Sequence, residues 1–190
     1  MLPTQHVDAL SMSQAETRFQ RIAGYAALAS ERLSRVTEIV VVGLLVLLVL
    51  DVWLGILVRY FVDLPVTFTE EAARYLMIWM ALMAVSIGIS RRAHIGVLFL
   101  FDRTTGRSRH LLLGGIDLLG FAFFVFLFYY GIGFTVDGAR RLTMIYGMPK
   151  SIPFAAVPVA CLLAAIQIAL VAIRDQAALL PQPDKSRIDL

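Results

Sequence analysis

One cysteine, Cys161, stands among 190 residues. It forbids an internal disulfide and rules out a metal site of the cysteine-rich kind. The three histidines, His6, His94 and His110, are scattered and form no HExxH pairing. There is no glycine-rich P-loop ending in Lys-Ser/Thr, no nucleophile elbow and no zinc motif, so the sequence carries no recognisable hydrolase or nucleotide-splitting chemistry. Charge is scarce, at 16% of residues. The first 35 positions lack the short apolar core and cleavage site of a signal peptide, and are expected to stay on the protein.

What fills the chain instead is hydrocarbon. At 59% hydrophobic residues and a mean hydropathy of +0.78, a chain of this size is too apolar for a soluble domain, and reads as a membrane protein. The pI of about 9.3 does not point to nucleic acid. Of the 17 basic residues all but Lys150 and Lys185 are arginine, and they cluster at the ends of apolar stretches, where lipid headgroups are the natural partner.

The stretch from Thr67 to Arg103 shows the pattern best. Thr67 and Glu70 have the spacing of a capping box, which predicts a helix start. Glu70 and Glu71 fall in its first turn, where the helix dipole favours anions, and both lie within a turn of Arg74. From Tyr75 to Ser90 there is no charge, and the run holds a single tryptophan, Trp79. Counting back through Ala72 gives about the ~20 residues that a crossing needs. Arg91 and Arg92 end it.

Three further spans follow the same logic. The expected fold is an all-α integral membrane protein with four transmembrane helices over about 36–59, 69–90, 110–136 and 153–173. An N-terminal segment, 1–35, precedes them and a short tail, 175–190, follows. Residues 14–33 have apolar residues at roughly helical spacing (Phe19, Ile22, Ala23, Ala26, Leu33), consistent with a weakly amphipathic helix at the membrane surface, a solvated helix or a disordered tail. The segment around Ile95, Leu98 and Phe99 is too short to cross and too apolar to float, which predicts a short helical segment that lies in the interface or packs against another subunit. Asp63, Leu64 and Pro65 make a turn. Ser151 is a plausible N-cap between Pro149 and Pro153. Ala156, Ala160 and Ala164 form a ridge of small residues that lets another backbone approach. Pro158 is placed to bend the fourth span.

In two spans an acid interrupts the apolar run itself. Asp51 is the only charge within the 20-residue centre of the first, and Asp117 lies near the start of the third. An ionisable group inside a membrane is costly and marks either a polar contact with a neighbouring helix or handling of an ion or proton. For both, the structural contact is the favoured reading, with Asp117 paired to nearby arginines. Orientation follows from counting Lys and Arg. Twelve (Arg18, Arg21, Arg32, Arg35, Arg91, Arg92, Arg103, Arg107, Arg109, Arg174, Lys185, Arg187) share the side of the termini, against five (Arg59, Arg74, Arg140, Arg141, Lys150) on the other. The positive-inside rule therefore predicts both termini in the cytoplasm.

The run EEAARYLMIW followed by RRAHIGV resembles the small permease subunit of the tripartite ATP-independent periplasmic (TRAP) transporters. The matching positions are Glu71, Arg74, Tyr75, Trp79, Arg92, His94, Ile95 and Val97, supported by the four spans and by Pro149 and Pro153 opening the last. Family members often carry charges within and just after the His-Ile-x-Val run, where this chain has Gly96 and Leu98. The resemblance covers roughly 36–174.

It implies an inner-membrane protein without enzymatic activity or a cofactor of its own. Such a subunit braces a large, many-helix permease that moves an organic acid, such as a C4-dicarboxylate, 2-oxo acid, sugar acid or sialic acid, with sodium ions bound by that large partner. A soluble periplasmic binding protein delivers the substrate. On this reading Asp51, Glu70, Glu71, Arg74, Tyr75, Trp79, Arg91, Arg92, His94 and Asp117 are family-pattern or subunit-interface positions. Arg140, Arg141 and Lys150 are candidate contacts for the binding protein. The alternatives are a self-sufficient small transporter or channel, and a small membrane enzyme.

Overall fold

The computed structural model describes residues 4–61, 67–91 and 107–178, with side chains placed for 20–61, 67–91 and 111–177. The described residues form α1 (Thr4–Phe61), α2 (Thr67–Ser90), α3 (Arg107–Ala139), the single turn α4 (Ser151–Phe154) and α5 (Ala156–Ala178). Four helical stretches, Gln20–Phe61, Thr67–Ser90, Leu111–Ala139 and Ser151–Ala177, are long and apolar enough to cross a membrane. In hydrocarbon every backbone N–H and C=O must be paired within its own segment, and continuous helices meet that demand. The 24 residues of α2 rise about 36 Å, enough for a core of ~30 Å.

The first helix is continuous for 58 residues. Its N-terminal part, for which the spacing gave a weakly amphipathic helix, runs into the first span without a break. Ala23 and Ala26 are buried there, while Ile22 is exposed. Of the described apolar positions in that spacing, the small Ala23 and Ala26 are the ones that pack. The turn at Asp63–Pro65, the interfacial segment around His94 and the tail beyond Ala178 lie outside the described residues.

The bundle is organised around α5, which packs against α1, α2 and α3, whereas α1 pairs mainly with α2 and α3 mainly with α5. Small side chains make this possible. Ala156, Ala160 and Ala164 are all buried, so their ridge lets three neighbours come close, as small residues do in membrane interfaces. Half of the most apolar window of α5 is buried against the other helices, and none of the corresponding window of α1 is. A small core joins Ile89 of α2 to Ala164 and Ile168 of α5, with Phe124 of α3 packed against it. Gly131 meets Pro158 and Val157, where a Cβ would stand 3.3 Å away.

Between α3 and α4 the chain makes a hairpin that the periodicity did not predict. The Lys150 N–H donates to the Arg141 carbonyl at 2.8 Å and the Thr143 N–H to the Met148 carbonyl at 2.7 Å, with Leu142 and Pro149 bridged antiparallel. Gly147 sits at φ 61°, left-handed backbone that glycine adopts without penalty. Lys150, not Ser151, precedes α4, and it makes no side-chain cap. Ser151, expected as the N-cap, is instead the first helical residue.

Candidate interaction site at the hairpin end

The end of the bundle that carries the hairpin also carries most of the sequence-predicted residues. Thr67 is the first residue of α2 rather than its cap, and Glu70 is exposed. The carboxylate that is used belongs to Glu71, which is buried. Its Oε1 accepts the Tyr75 hydroxyl at 2.6 Å and its Oε2 the Ile145 backbone N–H at 3.0 Å. Both contacts are charge-assisted, the stronger class of hydrogen bond. Glu71 is therefore engaged by Tyr75 and the hairpin rather than by Arg74, which is exposed.

A second tie runs the other way. The Tyr146 hydroxyl donates to the Phe68 carbonyl at 2.9 Å, satisfying backbone in the first turn of α2. Partial burial pushes the Tyr146 phenol above its ordinary range, and the negative charges of Asp51 and Glu71 add to the effect. The hairpin is also held from within, because the Thr143 hydroxyl accepts the Met148 N–H at 3.0 Å. Behind it, Phe134 of α3 stacks on Phe154 of α4 with centroids 4.2 Å apart. A connecting loop has thus become a fixed surface whose tip, Met144, is 93% exposed.

Two cavities flank this surface. One, of about 340 Å³, is lined by Glu70, Glu71, Arg74, Tyr75, Ile145 and Lys150 among others. The other, of about 350 Å³, is lined by Asp51, Arg59, Tyr60, Thr69 and Glu70. Asp51 is half-buried, and its Oδ2 is fully covered without a hydrogen-bond partner. At Gly55, one turn on, a Cβ would stand 2.9 Å from Thr69 Oγ1, so α1 and α2 touch closely beside the acid. Arg140 and Arg141 are exposed at the base of the hairpin and Lys150 is half-buried.

The remaining predicted residues are elsewhere. Trp79 is half-buried along α2, and Asp117 is half-buried on α3, where it is engaged rather than free. Arg91 lies at the far end and pairs with Glu38. Arg92 and His94 lie outside the described residues.

Sequence reasoning missed a polar seam at that far end. Gln167 is fully buried and donates through Nε2 to Ser30 Oγ at 2.6 Å. Ser34 and Ser90 share a hydrogen bond of 2.9 Å. The available signal was the spacing of Ser30, Ser34 and Thr37, which continues the helical face begun by Ala23 and Ala26.

The family model for the tripartite ATP-independent periplasmic transporters, DctQ component, matches residues 48–178. The chain belongs to this family. The matched range takes in Asp51, all of α2, the hairpin and α5. A Haemophilus influenzae protein named "Putative TRAP transporter small permease protein" is 28% identical over 71 residues, covering 37% of this chain and 44% of that relative. The chain is thus a transporter component, a small TRAP subunit built as a multi-pass membrane protein, as its residues at Glu71–Trp79 implied.

Proposed function

We propose that this subunit acts as a fixed brace in the inner membrane for a large permease partner, which carries an organic acid together with sodium ions. The observation that carries the reading is the unequal use of the helices. α5 gathers the bundle, while no residue in the most apolar window of α1 is fully buried by the rest of the chain. A helix of 58 residues that packs with one narrow face offers the other to lipid and to a neighbouring protein. The uncovered surface includes Trp53 and Tyr60, large side chains of the kind that anchor interfaces.

Asp51, a costly acid within the first span, lines the cavity between α1 and α2 and adds a polar feature for a partner helix to meet there. Both termini face the cytoplasm, so the hairpin faces outward. There Arg140, Arg141 and Lys150, held in place by the Glu71 clamp, offer positive charge to a soluble binding protein. Electrostatic complementarity of this kind speeds encounter and selects partners.

The test is purification of the tagged chain in mild detergent, identification of what accompanies it, and reconstitution with and without that companion. The expected result is a large membrane polypeptide in the complex, with acid uptake only when it is present. Solute flux by this chain alone would overturn the proposal.

A further inference from the structure

At the end of the bundle opposite the hairpin, α1, α2 and α5 enclose a cavity of about 310 Å³ lined by Ser30, Ser34, Arg35, Ser90, Arg91 and Arg174. Glu31 and Glu38 complete its wall. We infer that this cavity binds the phosphate group of a membrane glycerophospholipid.

The floor is polar and built into the core. Ser30 is 1% exposed and Ser34 8%. The Gln167 amide donates to Ser30 Oγ at 2.6 Å, which leaves the hydroxyl hydrogen of Ser30 for an acceptor of its own. Ser90 donates to the Ile87 carbonyl at 2.8 Å, so in the 2.9 Å contact between the two serines Ser34 is the donor.

Three arginines line the same cavity: Arg35 of α1, Arg174 of α5 and Arg91, which directly follows α2. Arg91 spends one Nη2 contact on Glu38 and Arg174 its Nε on Asp175 at 2.7 Å. A guanidinium has five N–H donors, so most remain on each. Planar donors arrayed in this way suit the oxygens of a phosphate. The acids lower the net charge of the site, which favours a singly charged phosphodiester over a multiply charged ion.

Chemistry alone would admit free phosphate as well as a headgroup. Position favours the lipid. Ile39 and Val42 follow Arg35 at helical spacing on the same face of α1, one and two turns toward the middle of the span, and both are exposed. Acyl chains descending from a phosphate at Arg35 would lie along them. Basic pockets between helices at the cytoplasmic surface recognise headgroups in this manner.

The test uses the full chain, delipidated in mild detergent and incubated separately with phosphatidylglycerol, phosphatidylethanolamine, the corresponding diacylglycerol, or inorganic phosphate. Native mass spectrometry then reads what is retained. One phospholipid per chain is expected, at least about tenfold more than diacylglycerol, a difference of one charge-assisted contact or more. The triple variant R35Q/R91Q/R174Q should fall to the diacylglycerol level, and R140Q/R141Q at the other end should retain lipid as the wild type does. Equal retention of phospholipid and diacylglycerol by the wild-type chain would overturn the inference, as would equal loss in both variants. A phosphate adduct without phospholipid retention would overturn the lipid assignment. The wild-type comparison decides the matter even if the triple variant does not fold.

Discussion

The carboxylate of Glu71 accepts the backbone N–H of Ile145 at 3.0 Å across a separation of 74 positions. One acid in the first turns of α2 thereby fixes a loop that belongs to the other half of the chain. A hydrogen bond to backbone depends on no particular side chain in the loop, so it sets where the loop sits and leaves its exposed residues free for contact.

Replacing Glu71 by Gln keeps the size of the side chain and removes its charge. The Ile145 amide should then lose protection in hydrogen exchange, together with its neighbours in the hairpin, while amides along α5 are unchanged. Tyr75→Phe leaves the Ile145 bond in place and should have the smaller effect. Equal protection of the hairpin in wild type and Glu71→Gln would show that the clamp does not hold it.

Gly138 tests the packing behind the hairpin. A Cβ there would lie 2.6 Å from Phe154 Cδ2 and 3.2 Å from the backbone of Lys150 and Ser151. Gly138→Ala should destabilise by about 1–3 kcal/mol, the usual cost of overpacking. At Gly133 a Cβ would meet nothing within 4 Å, so Gly133→Ala should be neutral or stabilise the helix by up to ~1 kcal/mol. Thermal unfolding in detergent of the two variants side by side checks both signs.

Gln167 and Ser30 join α5 to α1 in the interior. A double-mutant cycle with Gln167→Leu and Ser30→Ala should give a coupling of about 0.6 kcal/mol, with ~1.7 kcal/mol as the upper end for such bonds between membrane helices. A coupling of zero would mean that the contact at 2.6 Å contributes packing alone.

Tyr146 yields a prediction in pH. Its phenol is raised above the ordinary 10.0, first by burial and then by the acids Asp51 and Glu71. The folded protein therefore binds this proton more tightly than the unfolded chain does. The stability it contributes is complete below pH 10 and is lost as pH rises through the raised folded value. The difference in tyrosinate absorbance between wild type and Tyr146→Phe should show a midpoint above 10; a midpoint at or below 10 contradicts the assignment.

Charge at the hairpin base can be reversed without touching the core. Arg140→Glu with Arg141→Glu should slow uptake dependent on a binding protein by about tenfold at low salt, less at high salt, since such rim charges act on encounter. Recovery of the large membrane partner should be unaffected. Loss of both together would place these arginines in assembly instead.

Much of this was legible in the residues themselves. Long uncharged runs ended by arginines predict the four crossing-length helices, because a segment in hydrocarbon must be apolar along its whole length and must bond its own backbone. The ridge of Ala156, Ala160 and Ala164 marks the face of α5 that packs, and the run from Glu71 to Trp79 carries the family. Each of these is a local property, written in consecutive positions or at fixed helical spacing. The tertiary structure alone decided that Glu71 rather than Glu70 is the working acid, that its partner is Ile145, that α5 lies at the centre, and that Ser30, Ser34, Ser90 and Gln167 meet. Successive residues of a helix point about 100° apart, so which side chains meet depends on the rotation and register of each helix against the others, and those are settled by the packing of the bundle as a whole.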